Sequence, residues 1–72
     1  MKTSAIEINT RPYLASHGRE PRGFGRWMFE ILNWQYSYQD HYGQAINAAR
    51  KEMKRLCEQF GISSPPAITL LP

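Results

Sequence analysis

The stretch Trp27–Tyr38 reads W-M-F-E-I-L-N-W-Q-Y-S-Y. In an extended chain Trp27, Phe29 and Ile31 fall on one face, with Met28, Glu30 and Leu32 on the other. After Asn33 the alternation restarts, with Trp34, Tyr36 and Tyr38 separated by Gln35 and Ser37. Two period-two runs meeting at Leu32-Asn33 predict a tight hairpin. Its register opposes Ile31 to Trp34, Phe29 to Tyr36 and Trp27 to Tyr38. Six large side chains then share one sheet face, where cross-strand aromatic pairs are stabilising.

Downstream the period changes. From His41 to Phe60 the apolar positions Tyr42, Ala45, Ile46, Ala49, Met53, Leu56, Cys57 and Phe60 recur at helical spacing. This predicts an amphipathic helix with Asp40 as N-cap and Gly61 as the left-handed residue that ends it. Lys54 and Arg55 stand near its C-terminal end, where positive charge suits the helix dipole. A Ser/Pro connector, Ile62–Pro66, leads to a short final strand, Ala67–Leu71.

Upstream, Ser4–Thr10 alternates Ile6 and Ile8 with Glu7 and Asn9, a half-buried strand pattern. Pro12 lacks an N–H, so pairing there falls at a sheet edge or a strand end, with Tyr13-Leu14 as an extension past a kink. Between strand and hairpin lies Ser16–Arg26, S-H-G-R-E-P-R-G-F-G-R. Three glycines and a proline in eleven residues predict a long loop. The expected fold is α+β: an antiparallel sheet of three or four strands, element order β-β-β-α-β, with one amphipathic helix on one face.

The chain has 72 residues, so 1–72 is expected to be one small domain. So short a chain gains core from its nine aromatics or from homodimerisation. A single cysteine excludes an internal disulfide. No apolar run approaches a membrane span, and the first fifteen residues hold no apolar leader. A cytoplasmic, non-membrane protein is expected.

The formal charge is +3, and its placement is informative. Arg11, Arg19, Arg22 and Arg26 stand against Glu20 alone between positions 11 and 26. Elsewhere five basic residues (Lys2, Arg50, Lys51, Lys54, Arg55) balance five acidic ones (Glu7, Glu30, Asp40, Glu52, Glu58). The whole excess therefore sits in the glycine-rich segment. Arginine suits bidentate contact with phosphate or carboxylate. Glycines let backbone approach an anion closely. Phe24, between Gly23 and Gly25, is placed to stack on a base or to enter a partner's pocket. The bland alternative is a solvated loop whose glycines serve turn geometry. A second basic cluster, Asn47, Arg50, Lys51, Lys54 and Arg55, lies opposite the apolar helix face, and the plain reading there is a solvated surface partly neutralised by Glu52 and Glu58.

Catalytic signals are weak. His17 and His41 are isolated, no nucleophile set or paired-carboxylate motif appears, and Cys57 falls on the apolar helix face. The spacing of His17, His41 and Cys57 matches no zinc pattern, so no metal, cofactor or enzymatic activity is expected.

The stretch His17 to Ile31 resembles a family of short, uncharacterised proteins of phages and mobile elements. Its pattern runs His-Gly-x-x-Pro-x-Gly-x-Gly-x-Trp-x-Phe-x-Ile. His17, Gly18, Pro21, Gly23, Gly25, Trp27, Phe29 and Ile31 match it, and Tyr42-Gly43-Gln44-Ala45 stands where similar chains begin their helix. Leu32-Asn33 departs from the Asp-Gly type of turn found there. The resemblance covers most of the chain beyond Tyr13 and implies an accessory protein of a phage or mobile element in a bacterial host. Residues and resemblance together lead us to expect a small nucleic-acid-binding protein using Arg19, Arg22, Phe24 and Arg26, with Arg11, Arg50, Lys51 and Lys54 as secondary contacts. The rival is a phage inhibitor of a host defence or regulatory complex, resembling anti-CRISPR proteins in role, whose arginines engage an acidic host protein.

Overall fold

A computed structural model describes residues 6–72, so the Ser4-Ala5 start of the first predicted strand lies outside the described residues. The element order is β1 (Ile8–Asn9), α1 (Arg11–His17), β2 (Phe24–Ile31), β3 (Trp34–His41), α2 (Tyr42–Phe60) and β4 (Ile68–Leu70). The fold is α+β, with four strands in the order β1-β4-β2-β3.

The hairpin has the register read from alternation: Ile31 opposes Trp34, Phe29 opposes Tyr36 and Trp27 opposes Tyr38. Leu32 and Asn33 both have positive φ, 50° and 73°, as a two-residue turn matched to strand twist requires. The pairing runs past Tyr38 to His41, which opposes Phe24. Of the six side chains assigned to the inner face, Trp27, Phe29 and Ile31 are buried. Tyr36 and Tyr38 are half-buried, and Trp34 is exposed.

Helix α2 lies on that inner face through Ala45, Ala49, Met53, Leu56 and Cys57, all buried. Gly61, at φ 71°, ends it by donating its N–H to the Cys57 carbonyl. Asp40 does not cap it. It belongs to β3, and the N-cap position falls to His41, without a side-chain cap. Asp40 Oδ1 accepts the N–H of His41 at 2.7 Å, and its carbonyl accepts the Trp27 indole N–H at 3.0 Å.

Two expectations are corrected. The sheet is mixed, not purely antiparallel, and there are two helices in the order β-α-β-β-α-β. Strand β4 pairs antiparallel with β2, Phe29 opposite Leu70, and parallel with β1, Ile8 opposite Ile68. Ile68 and Leu70 are fully buried, as a strand flanked on both sides allows. β3, α2 and β4 thus form a split β-α-β unit with β2 between its parallel strands.

The second helix replaces the expected strand extension at Tyr13-Leu14. Pro12, in its first turn, has a φ already suited to helix and lacks an N–H that would have no partner there. Gly18, at φ 70°, closes it with a 2.8 Å bond from its N–H to the Leu14 carbonyl. Tyr13 is its buried residue and packs on Trp27, ring centroids 5.7 Å apart. α1 takes Ser16 and His17 from the predicted loop, and β2 takes Phe24 to Arg26. The irregular segment shrinks from eleven residues to Gly18–Gly23.

Among the described residues no helix is long and apolar enough to cross a membrane.

Candidate functional site

Strand alternation that buries Trp27, Phe29 and Ile31 must turn Phe24, Arg26, Met28 and Glu30 to the opposite face. From β3 the same face receives Gln35, Ser37, Gln39 and His41, opposite Glu30, Met28, Arg26 and Phe24 respectively. Helix α2 covers only the inner side. The outer face is therefore open: Phe24 is 62% exposed and Met28 36%. Arg26, Ser37, Gln39 and His41 are exposed, and Glu30 at the far end is half-buried.

One end of this face carries the predicted binding residues. Phe24 is a strand residue, not a loop residue, and its ring meets His41 edge-on, centroids 5.4 Å apart. Arg26 follows two residues along the same face, about 7 Å away by strand geometry. Immediately before Phe24 the loop carries Arg19 and Arg22, both exposed, which with Glu20 and Pro21 line a shallow concavity. The loop's exit is fixed at Gly23, whose carbonyl accepts the Tyr42 N–H at 2.9 Å. Gly23 adopts φ 81°, a conformation in which a β-carbon is strained.

Among the described residues the one salt bridge joins Arg55 to Glu52 on α2. Nor, among the described residues, does a side-chain hydrogen bond engage the guanidinium of Arg11, Arg19, Arg22 or Arg26. Arg11 opens α1, and its backbone N–H meets Asn9 Oδ1 at 3.2 Å.

The second basic cluster does not join this site. Arg50 is half-buried, and its Nε donates to the Ile6 carbonyl at 3.2 Å, a bond that ties α2 to the segment before β1. Lys51 and Lys54 are exposed on α2, which the sheet separates from the face bearing Arg26. Of the expected contacts, Phe24 and Arg26 share the open sheet face and Arg19 and Arg22 stand in the loop that leads into it, while Arg50, Lys51 and Lys54 belong to α2 on the other side of the sheet.

His17 stacks on Tyr13, centroids 4.0 Å apart, and His41 packs on Phe24. Cys57 is buried. These three residues have separate structural surroundings, and no cluster of three or more His, Cys, Asp or Glu side chains that would hold a metal occurs among the described residues.

Sequence reasoning missed Gln39 and His41 as part of the exposed face that Met28 and Glu30 share. The signal was present in the alternation, which assigns an outer face as firmly as an inner one.

At the far end of the hairpin Trp34 stacks on Phe60, centroids 5.9 Å apart and rings 23° from parallel. Both are about half exposed (49% and 53%) and border a depression lined also by Gln35, Tyr36, Arg55 and Gln59. Between the two ends, Glu52 Oε2 accepts the Tyr36 hydroxyl at 3.0 Å and also pairs with Arg55. Hydrogen bonding from Arg55 holds the Glu52 carboxyl below its ordinary pKa. Burial, and then the Glu52 hydrogen bond, push the Tyr36 phenol upward.

Comparison with protein-family models, with curated proteins and with solved structures gives no match for this chain.

Proposed function

We propose that this chain is a small nucleic-acid-binding accessory protein of a phage or mobile element. It grips single-stranded or locally unpaired nucleic acid across the open sheet face at the Phe24 end. Arg19, Arg22 and Arg26 contact phosphates, and Phe24 stacks on an exposed base. One observation carries the reading: an exposed aromatic ring and an exposed arginine share the open sheet face, two more exposed arginines stand in the loop that leads into it, and among the described residues none of the three arginines is in a salt bridge.

The ring and the charges divide the work. Every base has a π-face, so stacking on Phe24 is tolerant of sequence and worth about 1–3 kcal/mol per base. The guanidiniums supply the larger, salt-dependent part of the affinity through counterion release. Neither contribution calls for catalysis.

The test is fluorescence anisotropy of labelled oligonucleotides over a salt series. Affinity should fall linearly on a log–log plot. Arg22→Ala and Arg26→Ala should each reduce the slope by about 0.7, the value for one lost phosphate contact on a single strand. Phe24→Ala should weaken binding about 5- to 150-fold with the slope unchanged. Absence of oligonucleotide binding, or binding indifferent to salt, overturns the reading. Stoichiometric capture of one acidic host protein from nuclease-treated lysate, lost in Arg22→Ala/Arg26→Ala, would transfer the same residues to the inhibitor role.

A further inference from the structure

Strand β3 is an edge of the sheet, eight residues long, whose outer side has no partner among the described residues. Natural edge strands are usually blunted by shortness, lysine, proline, a bulge or a covering segment. β3 has none of the first four. It contains no Lys, Arg or Pro, pairs with β2 at every position without a bulge, and carries one charge suited to the exposed edge, Asp40 near its end.

We propose that β3 is a homodimer interface, pairing antiparallel with β3 of a second copy about a two-fold axis through Ser37.

The register follows from the hairpin. Ile31 and Trp34 flank the two-residue turn and form a hydrogen-bonded pair. The backbone groups of Trp34, Tyr36, Tyr38 and Asp40 therefore point to β2, and those of Gln35, Ser37 and Gln39 point outward. Centring two copies on Ser37 pairs outward-facing residues with outward-facing residues: Ser37 with Ser37, and Gln35 with Gln39. Three such pairs supply about six backbone hydrogen bonds. Shifting the axis to Gln35 or Gln39 runs one copy into the turn or into α2 and shortens the match.

The side chains are self-complementary in that register. On the inner face Tyr36 of each copy opposes Tyr38 of the other, giving two cross-strand aromatic pairs. Asp40 opposes Trp34, so no like charges meet. On the outer face the row reads Gln39, Ser37, Gln35 against its own reverse, uncharged throughout. The Tyr36 hydroxyl is already held by Glu52, which fixes its ring before pairing and lowers the ordering cost. The result is one eight-stranded sheet with both α2 helices on one side and both Phe24–Arg26 ends on the other.

The occupant is a second copy because an arbitrary strand would satisfy the hydrogen bonds but not this palindromic side-chain order. The inference is independent of the nucleic-acid reading.

Sedimentation equilibrium over a dilution series tests it. The wild-type chain should approach twice 8.4 kDa at high concentration. Ser37→Pro removes an outward N–H and leaves every β2–β3 hydrogen bond in place, so it should stay folded by circular dichroism and sediment as a monomer. Ser37→Cys should cross-link under mild oxidation, because the two Cα atoms of such a pair stand about 5.5 Å apart, within disulfide range. Gln35→Cys should not, its mates being more than ~13 Å apart along the joint. A wild-type monomer at every concentration overturns the proposal. So does a dimer that survives Ser37→Pro, or one that cross-links through position 35 and not 37. Should Ser37→Pro fail to fold, the two cysteine variants decide alone.

Discussion

Gly23 and Gly25 bracket Phe24 and do different jobs. Gly23 sits at φ 81°, in the region where a β-carbon collides with its own carbonyl. Gly25 has an ordinary strand φ and faces the core side, where an added β-carbon would stand 3.8 Å from the Trp27 ring, at normal contact. Gly23→Ala should therefore cost about 1–2 kcal/mol. Gly25→Ala should be neutral or stabilise by up to about 1 kcal/mol, because it restricts the unfolded chain without a clash. Urea unfolding of the two variants separates them. A Gly25→Ala loss as large as that of Gly23→Ala would mean that the indole cannot tolerate even a methyl group. The pair also bears on the site, since Gly23 sets where the loop stops and Phe24 begins its strand.

Helix α2 meets strand β3 through a triad, Tyr36, Glu52 and Arg55, whose titration reports on their docking. The Glu52 carboxyl, held down mainly by the Arg55 hydrogen bond, has a folded pKa below its ordinary 4.5. The unfolded chain thus takes up the proton first, and the stabilisation present at neutral pH is lost as pH falls through the folded value. Tyr36 runs the other way. Its phenol lies above 10.0, so its contribution is intact below that pH and disappears as pH rises through the raised value. Urea midpoints should fall on both flanks. Glu52→Gln should flatten the acid flank below the ordinary carboxyl value of 4.5, because the carboxyl whose folded pKa is lowered is gone. An acid flank unchanged in Glu52→Gln would place the acid sensitivity elsewhere. The hairpin, α2 and the exposed character of Arg19, Arg22 and Arg26 were legible in the sequence because each rests on a local rule: period two, period 3.6, or charge among glycines. α1 was not, since its seven residues carry one core contact, Tyr13, too few to show a period. Pro12, whose missing N–H suits a strand end as well as a first helical turn, stands in the first turn of α1. The place of β4 between β1 and β2 is a long-range choice that no local pattern encodes. Phe24 reads as a loop residue because Gly25 interrupts the alternation, although the Trp27 ring stands at the core face there.

At the scale of the whole molecule, the sheet divides two basic surfaces that the net charge of +3 lumps together. Arg26 stands on the open face beside the Arg19–Arg22 loop, and Lys51 and Lys54 stand on α2 behind it. If affinity for nucleic acid followed net charge, the two groups would be interchangeable. If it follows placement, they are not. Lys51→Glu/Lys54→Glu takes the formal charge from +3 to −1, whereas Arg22→Ala/Arg26→Ala leaves it at +1. On a net-charge account the lysine variant should bind worse. The geometry reverses that order, because surface charges separated by more than about 8 Å of salt solution are largely screened, while a guanidinium touching a phosphate is not. The lysine variant should keep its affinity within a few-fold near physiological salt and retain the wild-type salt slope. The arginine variant should lose both affinity and slope. Parallel anisotropy titrations of the two proteins read the difference directly. Greater loss in the lysine variant would move the binding surface to α2 and leave the open sheet face without a nucleic-acid role.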